Sequence, residues 1–292
     1  MAGQQKAEAV ASLYVVATPI GNLADMSPRA VQTLRDVALI AAEDTRHTGR
    51  LLSHFGISTA LMALHDHNEQ RVVERVINRL RDGDAVALVS DAGTPLISDP
   101  GYKLLRAAVT AEIEVRTVPG PSAVTAALSV SGLPTDQFVF AGFLPARDDA
   151  RQRFIKSLAS ETRTVVVFES VHRIEASLTA FSRLLPARRL TVHRELTKQY
   201  ESAYRGSASE LLAALNAGEL VARGEFVFVI AAAADDAEAA SAEVEITALL
   251  RVLLAAMPLK QAVAEAVTLT GRSRNQLYEQ ALAINNASNP ER

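Results

Sequence analysis

Two short clusters in the first quarter of the chain bring together groups that could move a proton or bind an ion. They are Glu43-Asp44-Thr45-Arg46-His47 and His65-Asp66-His67-Asn68-Glu69. Each closes a short apolar run, 38–42 and 60–64, of the kind that forms a buried strand. Both are therefore expected at the carboxyl ends of neighbouring strands, the rim on which α/β sheets bind ligands. Glu43, Asp44, His47, His65 and Glu69 are candidate general bases there, and residue type alone does not rank them. The His-x-His spacing raises the question of a metal, but no third ligand stands at a recognisable spacing, so none is expected. In the second half, Phe168-Glu169-Ser170-Val171-His172-Arg173 and His193-Arg194-Glu195-Leu196-Thr197-Lys198 follow strand-like runs in the same manner.

Three loops could shape a pocket between these clusters. Ser90-Asp91-Ala92-Gly93-Thr94-Pro95-Leu96-Ile97-Ser98-Asp99-Pro100-Gly101 combines two prolines and two glycines with short polar side chains, as a polar small-molecule site at a strand end requires. Its plainer reading is a capped turn, with Asp99 and Pro100 starting a helix. Thr18-Pro19-Ile20-Gly21-Asn22-Leu23 sits where dinucleotide folds place a glycine-rich phosphate loop, yet it has one glycine and a proline. Glu43 mimics a ribose-binding acid at the right distance, so a dinucleotide oxidoreductase is a competing reading that the missing glycines oppose. Val118-Pro119-Gly120-Pro121-Ser122-Ala123 should form a rigid crossing between two halves, with Ser122 able to cap the next helix and the 122–123 pair at the floor of a cleft.

The elements that position these loops are legible as a rhythm. Apolar runs 13–17, 38–42, 60–64, 85–89 and 114–118 alternate with helical patterns such as 28–35, which starts Ser27-Pro28, and 71–81, where Val72, Val73, Val76 and Leu80 share a face. Beyond Pro119 the same alternation gives helices over 122–130, 151–158, 173–185 and 208–216, and strands over 138–141, 164–168, 190–193 and 226–230. The second half is thus expected to repeat the architecture of the first. Residues 231–243, rich in Ala and acids, suit a linker or a frayed helix. Helices over 244–256, 259–268 and 273–283, broken at Gly271, resemble a helix-turn-helix whose Lys260, Arg272 and Arg274 could touch nucleic acid.

A length of 292 residues suits two domains and an appendage, and 49% apolar with 22% charged residues is ordinary globular composition. The absence of cysteine removes disulfides, thiolate nucleophiles and cysteine zinc sites. Neither a signal peptide nor a membrane span is legible, so a soluble cytoplasmic protein is expected. With a net charge of −3, any nucleic-acid contact must come from local patches. Two are visible, Arg147, Arg151, Arg153 and Lys156, then Arg188, Arg189, His193, Arg194 and Lys198.

Taken in order, these blocks resemble the tetrapyrrole-methylase fold family, in its ribosomal RNA branch, the 16S rRNA cytidine 2′-O-methyltransferases. The resemblance spans nearly the whole chain. It rests on 16–23, 42–48, 90–101, 118–123, Gly142-Phe143-Leu144-Pro145, 168–173 and 194–198. It implies an α/β, two-domain tetrapyrrole-methylase-like fold with a small C-terminal helical domain. The expected bounds are 12–118, 119–232 and 244–290. It further implies S-adenosylmethionine in the interdomain cleft, against Ile20, Thr94, Ile97, Ser98, Ser122, Ala123, Phe168, Glu169, Gly224 and Glu225. Relatives acting on small molecules often carry Gly-Asp-Pro where this chain has Gly93-Thr94-Pro95, so Thr94 can hydrogen-bond but brings no charge. A homodimer, and 16S rRNA or the small ribosomal subunit as substrate, are implied as well. Methyl transfer to a ribose hydroxyl needs alignment, and a positioned base adds about 10²–10⁴-fold. Arg46, Arg173, Arg194 and Lys198 are the cations expected on RNA phosphates. A small-metabolite methylase and a non-catalytic RNA-binding factor are the rival readings.

Overall fold

Strands β1 (Leu13–Val16), β2 (Leu39–Ala42), β3 (Leu61–Ala63), β4 (Val86–Val89) and β5 (Val115–Val118) form a parallel sheet in the order β3-β2-β4-β1-β5. The coordinates are a computed structural model that describes residues 10–65, 69–233, 236–270 and 273–288. β2 and β4 are buried at every position, as central strands covered on both faces must be. Side chains alternate between two cores: Ala87 and Val89 of β4 face one, Val86 and Leu88 the other. Each large side chain so buried contributes about 1.5–3 kcal/mol. The covering helices are α1 (Pro28–Asp36), α2 (Thr45–His54), α3 (Glu69–Arg81) and α4 (Tyr102–Thr110). α1 starts as its sequence predicts: Pro28 is its first residue, and the Ser27 hydroxyl accepts the Ala30 N–H at 3.1 Å. α4 does not. It begins at Tyr102 after Gly101, whose φ is +117° and which provides no side-chain cap, so Asp99 and Pro100 stay in the loop.

The second sheet departs from the expected repeat. β6 (Phe138–Phe143), β7 (Thr164–Glu169), β8 (Arg189–Arg194), β9 (Ser202–Ser207) and β10 (Phe226–Ile230) lie in the order β6-β7-β10-β8-β9. Only β6 and β7 run parallel; β10 is antiparallel to both β7 and β8, and β9 is antiparallel to β8. Segment 195–201 is too short for a crossover helix, so β8 must return as a hairpin. β9 escaped the sequence pattern because an antiparallel edge strand needs no apolar run, and Ser-Ala-Tyr-Arg-Gly-Ser has none. α5 (Ala123–Ser131) packs Val124, Ala127 and Leu128 on Val166, Val227 and Val229 of one face. α6 (Asp148–Ser157), α7 (Ile174–Leu184) and α8 (Ala208–Asn216) cover the other, around Phe181, Phe226 and Phe228. α8 carries a full capping box between Ser207 and Glu210.

The chain divides into two compact units, Met1–Ala232 and Ala233–Arg292. The second contains α9 (Asp236–Ala256), α10 (Leu259–Thr270) and α11 (Arg274–Ser288) around Ile246, Leu250, Val263, Ala266, Leu277 and Ala281. Segment 231–243 is thus largely helix from Asp236 onward. Gly271 and Arg272 lie outside the described residues, as do Asp66, His67 and Asn68 and the side chain of Glu69. Among the described residues no helix is long and apolar enough to cross a membrane.

Candidate active site

The loops that leave the carboxyl ends of β1, β2, β4 and β5 meet the corresponding rim of the second sheet around a cavity of about 330 Å³. Its position follows from the chain path. The Thr18 N–H donates to the Gly93 carbonyl at 2.9 Å and Gly93 returns the bond at 3.0 Å, which joins the first loop to the 90–101 loop. The Thr94 hydroxyl donates to the Pro121 carbonyl at 3.1 Å and ties that loop to the crossing. Gly120 lies close enough to Ala17 that a Cβ would come within 3.1 Å of the Ala17 methyl. The Pro-Gly-Pro crossing is therefore pinned at both edges, and it delivers Ser122 and Ala123 to the cavity. Ser122 holds the N-cap position of α5, but its side chain makes no cap bond, contrary to the sequence expectation.

From the first half, Ile20, Glu43, Asp91, Ala92, Gly93, Thr94, Ile97, Ser98, Asp99, Ser122 and Ala123 line the cavity. From the second, Phe143, Phe168, Glu169, Leu196, Glu225, Phe226 and Val227 do. Nine of the ten residues assigned above to the cofactor stand on this wall, and Gly224 adjoins it beside Glu225. Gly224 adopts φ +89° and presses against the Glu195 side chain, leaving no room for a Cβ. Four non-glycine residues of the lining loops are also left-handed: Leu96, Ser98, Glu195 and Thr197. Backbone held in this region costs energy and persists where the surroundings dictate it, commonly at functional sites.

The electrostatics of the wall are one-sided. Glu43, Asp91, Asp99, Glu169 and Glu225 line it, and no Lys, Arg or His does among the described residues. Glu169 is buried and fully engaged: Oε1 accepts the Ser170 N–H at 2.6 Å and Arg173 Nε at 3.0 Å, and Oε2 accepts the Ser177 hydroxyl. Asp91 accepts the Asp44 N–H at 3.0 Å. Glu225 pairs with Lys198 at 3.0 Å, and Lys198 also reaches Glu195 at 3.0 Å. Burial depresses the Lys198 ammonium, but the bonds from these two carboxylates outweigh it and hold it above its usual value. The Lys198 stem lies across Gly21, whose φ of +155° and close contact both exclude a side chain. Among the described residues, no group of three His, Asp or Glu is arranged to hold a metal.

The candidate bases scatter. Of the four whose side chains are described, Glu43 alone lines the cavity. Asp44 is turned toward Arg46, whose side-chain and backbone hydrogen bonds hold its carboxyl far below the usual range. His47 faces a neighbouring hollow with Pro19, Gly21, Leu23, Arg50, Leu51 and Asp91. His65 is exposed at the end of β3, an edge strand, with β2 between it and β4. The basic patches also thin out. Arg151 is buried and paired with Asp148 at 2.6 Å. Arg188 donates to the Ala231 and Leu158 carbonyls, each at 3.0 Å. Arg194 donates to Arg223 and Tyr200 carbonyls, at 2.6 and 3.0 Å. His193 is 1% exposed, and burial with the Arg205 charge lowers it to about 4, so it is neutral. Arg46 remains 87% exposed. Sequence reading missed Asp91, Asp99 and Phe143 as cavity residues; their signal was membership of the 90–101 and 142–145 blocks.

Comparison with known proteins agrees with this arrangement. Residues 12–212 match the family described as Tetrapyrrole (Corrin/Porphyrin) Methylases, and residues 233–285 match the RsmI C-terminal HTH domain. A ribosomal RNA small subunit methyltransferase I from Xylella fastidiosa is 50% identical over 91% of this chain and 97% of its own length. The protein of the same name from Escherichia coli O157:H7 is 46% identical over 92% of this chain and 94% of its own. Among solved structures, a uroporphyrin-III C-methyl transferase from Thermus thermophilus complexed with S-adenyl homocysteine shares the fold, with TM-score 0.52 and 15% identity over 75% of this chain and 97% of that one. By sequence along almost its whole length, the chain belongs to the ribosomal RNA small subunit methyltransferase I family, within the tetrapyrrole methylases.

Proposed function

We propose that the protein transfers the methyl group of S-adenosylmethionine to the ribose 2′-hydroxyl of a cytidine in 16S ribosomal RNA. The observation that carries this reading is the cavity itself, enclosed between two sheets, of cofactor size, and lined by carboxylates without a cation. A sulfonium with an α-ammonium group fits such a wall, whereas a pyrophosphate dinucleotide would be repelled by it. Ile20, Thr94, Ile97, Ser98, Ser122, Ala123, Phe168, Glu169 and Glu225, with the turn at Gly224, would hold the cofactor. The cofactor supplies the methyl group; the protein supplies alignment, desolvation and acceptance of a proton.

Phe143 is 54% exposed at the cavity while packed edge-on to Phe168, with ring centroids 5.4 Å apart. An aromatic face so presented suits stacking of an unpaired base, the usual means of singling out one nucleotide in RNA. Arg46 is the phosphate contact best supported by its exposure, while Arg173, Arg194 and Lys198 are engaged by Glu169, by the Arg223 and Tyr200 carbonyls, and by Glu195 and Glu225. The methylase would consist of two domains, 12–118 and 119–232, with 244–290 as a small C-terminal domain. The protein would act in the cytoplasm as a homodimer, and sedimentation measures the latter. Labelled methyl transfer to small subunits lacking the modification, followed by nucleoside digestion, tests the reading. Recovery of 2′-O-methylcytidine supports it; cofactor binding without label on RNA favours a small-metabolite methylase instead.

A further inference from the structure

We propose that Asp99 is the general base of the reaction, taking the proton of the ribose 2′-hydroxyl as the oxygen attacks the methyl carbon. This rests on the reading above. Asp99 Oδ2 is buried yet has no hydrogen-bond partner, and its residue lines the cavity beside Ser98. A buried carboxylate oxygen left unpaired is costly, and protein interiors seldom keep one without a use. The other acids of the wall are already spoken for: Asp91 by the Asp44 N–H, Glu169 by Arg173 and two further donors, Glu225 by Lys198, and Glu43 by contacts within the chain. Asp99 is held in place all the same. The Ser90 hydroxyl, which donates to the Ala92 carbonyl at 3.3 Å, stands near its carboxyl. Ser98 before it is locked in a left-handed conformation, and the Gly101 turn after it is closed over Leu88. A carboxylate on the cavity wall with an oxygen that no group of the protein occupies is what proton abstraction requires.

The balance of the step is simple. The 2′-oxygen forms a bond to the methyl carbon, the carbon–sulfur bond breaks with its electron pair going to sulfur, and the hydroxyl proton passes to the Asp99 carboxylate and then to water. The surroundings make Asp99 a better acceptor than an ordinary aspartate. Burial raises its affinity for protons, Ser90 partly offsets this, and the Asp91 charge adds to it. The remaining charged groups on the cavity, Glu43, Glu169 and Glu225, are all acidic.

Asp99→Asn and Asp91→Asn, each with Glu43→Gln for comparison, test the assignment on the full-length protein and the small ribosomal subunit. Asn at 91 still accepts the Asp44 N–H while removing the charge. Asp99→Asn should lower kcat by about 10²–10⁴-fold with S-adenosylmethionine affinity, measured by calorimetry, changed less than about threefold. The acidic limb of the kcat profile should vanish in Asp99→Asn and move to lower pH in Asp91→Asn. Carbon-13 spectra of aspartate-labelled protein should show one carboxyl titrating above the usual range, absent in Asp99→Asn and shifted down in Asp91→Asn. Retention of kcat in Asp99→Asn would overturn the proposal, as would an unmoved limb in Asp91→Asn. So would loss of cofactor affinity with saturated kcat intact, which would make Asp99 a cofactor ligand. If the unaltered protein transfers no methyl to the subunit, the functional reading fails instead.

Discussion

Removing Arg173 separates two roles that its sequence position leaves open, a phosphate contact and a structural counter-ion. In the structure its guanidinium meets Glu169 through Nε at 3.0 Å and Nη2 at 2.9 Å, and the Glu169 side chain has no solvent exposure, against 28% for Arg173. Deleting one member of a buried pair costs about 3–5 kcal/mol, because the remaining charge stays buried without its partner. Glu169 keeps the Ser170 N–H and the Ser177 hydroxyl, so Arg173→Ala should lie near the lower end, about 3 kcal/mol, in urea denaturation. Adding Glu169→Gln removes the stranded charge, and the double variant should recover about 2 kcal/mol of that loss. The salt dependence of RNA affinity should be unchanged in Arg173→Ala, whereas Arg46→Ala should reduce the log–log slope by about 1. A destabilisation under about 0.5 kcal/mol, together with a reduced slope for Arg173→Ala, would refute the structural assignment and return Arg173 to the RNA.

Three further outcomes follow from geometry already described. His193 is protonated at about 4 in the fold, against 6.5 in the unfolded chain, so its neutral burial costs nothing above about pH 6.5 and progressively more below it. At about 1.4 kcal/mol per pH unit the loss reaches roughly 3 kcal/mol by pH 4, and His193→Gln should flatten this part of the acid-stability curve measured by denaturant titration. Gly21→Ala places a Cβ against the Lys198 stem in a left-handed backbone, which should cost about 1–3 kcal/mol and be partly relieved by Lys198→Ala, a coupling that additive behaviour in a double-variant cycle would disprove. Phe143→Ala should raise KM for the ribosomal subunit by about tenfold while Phe143→Tyr should not, stacking being worth about 1–3 kcal/mol per base. A rise in the cofactor dissociation constant instead would place the adenine ring on Phe143.

What could be read without coordinates was what burial writes into a sequence. β2 and β4 are apolar throughout because helices cover both faces, and β10, Phe-Val-Phe-Val-Ile, serves two cores with alternate residues. The cavity wall was legible as well, since Gly93, Pro121 and their neighbours make turns that few other residues allow. The misreadings have separate causes. Runs of charge look alike whether they face water or each other, so Arg151, Arg188 and Arg194 read as a nucleic-acid surface although the chain's own carboxylate and carbonyls occupy them. β9 had no burial to record, and a hairpin leaves no apolar signature. Asp99 was taken for a helix start because Asp-Pro commonly is one; the helix opens at Tyr102 because Gly101 alone could make the left-handed turn over Leu88.

The cavity wall that carries only negative charge also imposes an order on events. An RNA strand brings its own phosphates, so an empty cavity opposes the approach of the ribose that must enter it. A cationic cofactor already seated weakens that local field, which makes cofactor first and RNA second the favoured sequence of encounters. Transfer removes the charge from sulfur while a proton reaches the base, and the site regains its negative charge when that proton passes to water. The methylated ribose then lies again beside a wall whose lining residues are acidic, which favours release of the strand. The turnover of the protein is thus coupled to the charge of its cofactor as well as to the shape of its pocket, and salt should quicken RNA entry into the empty protein more than into the loaded one.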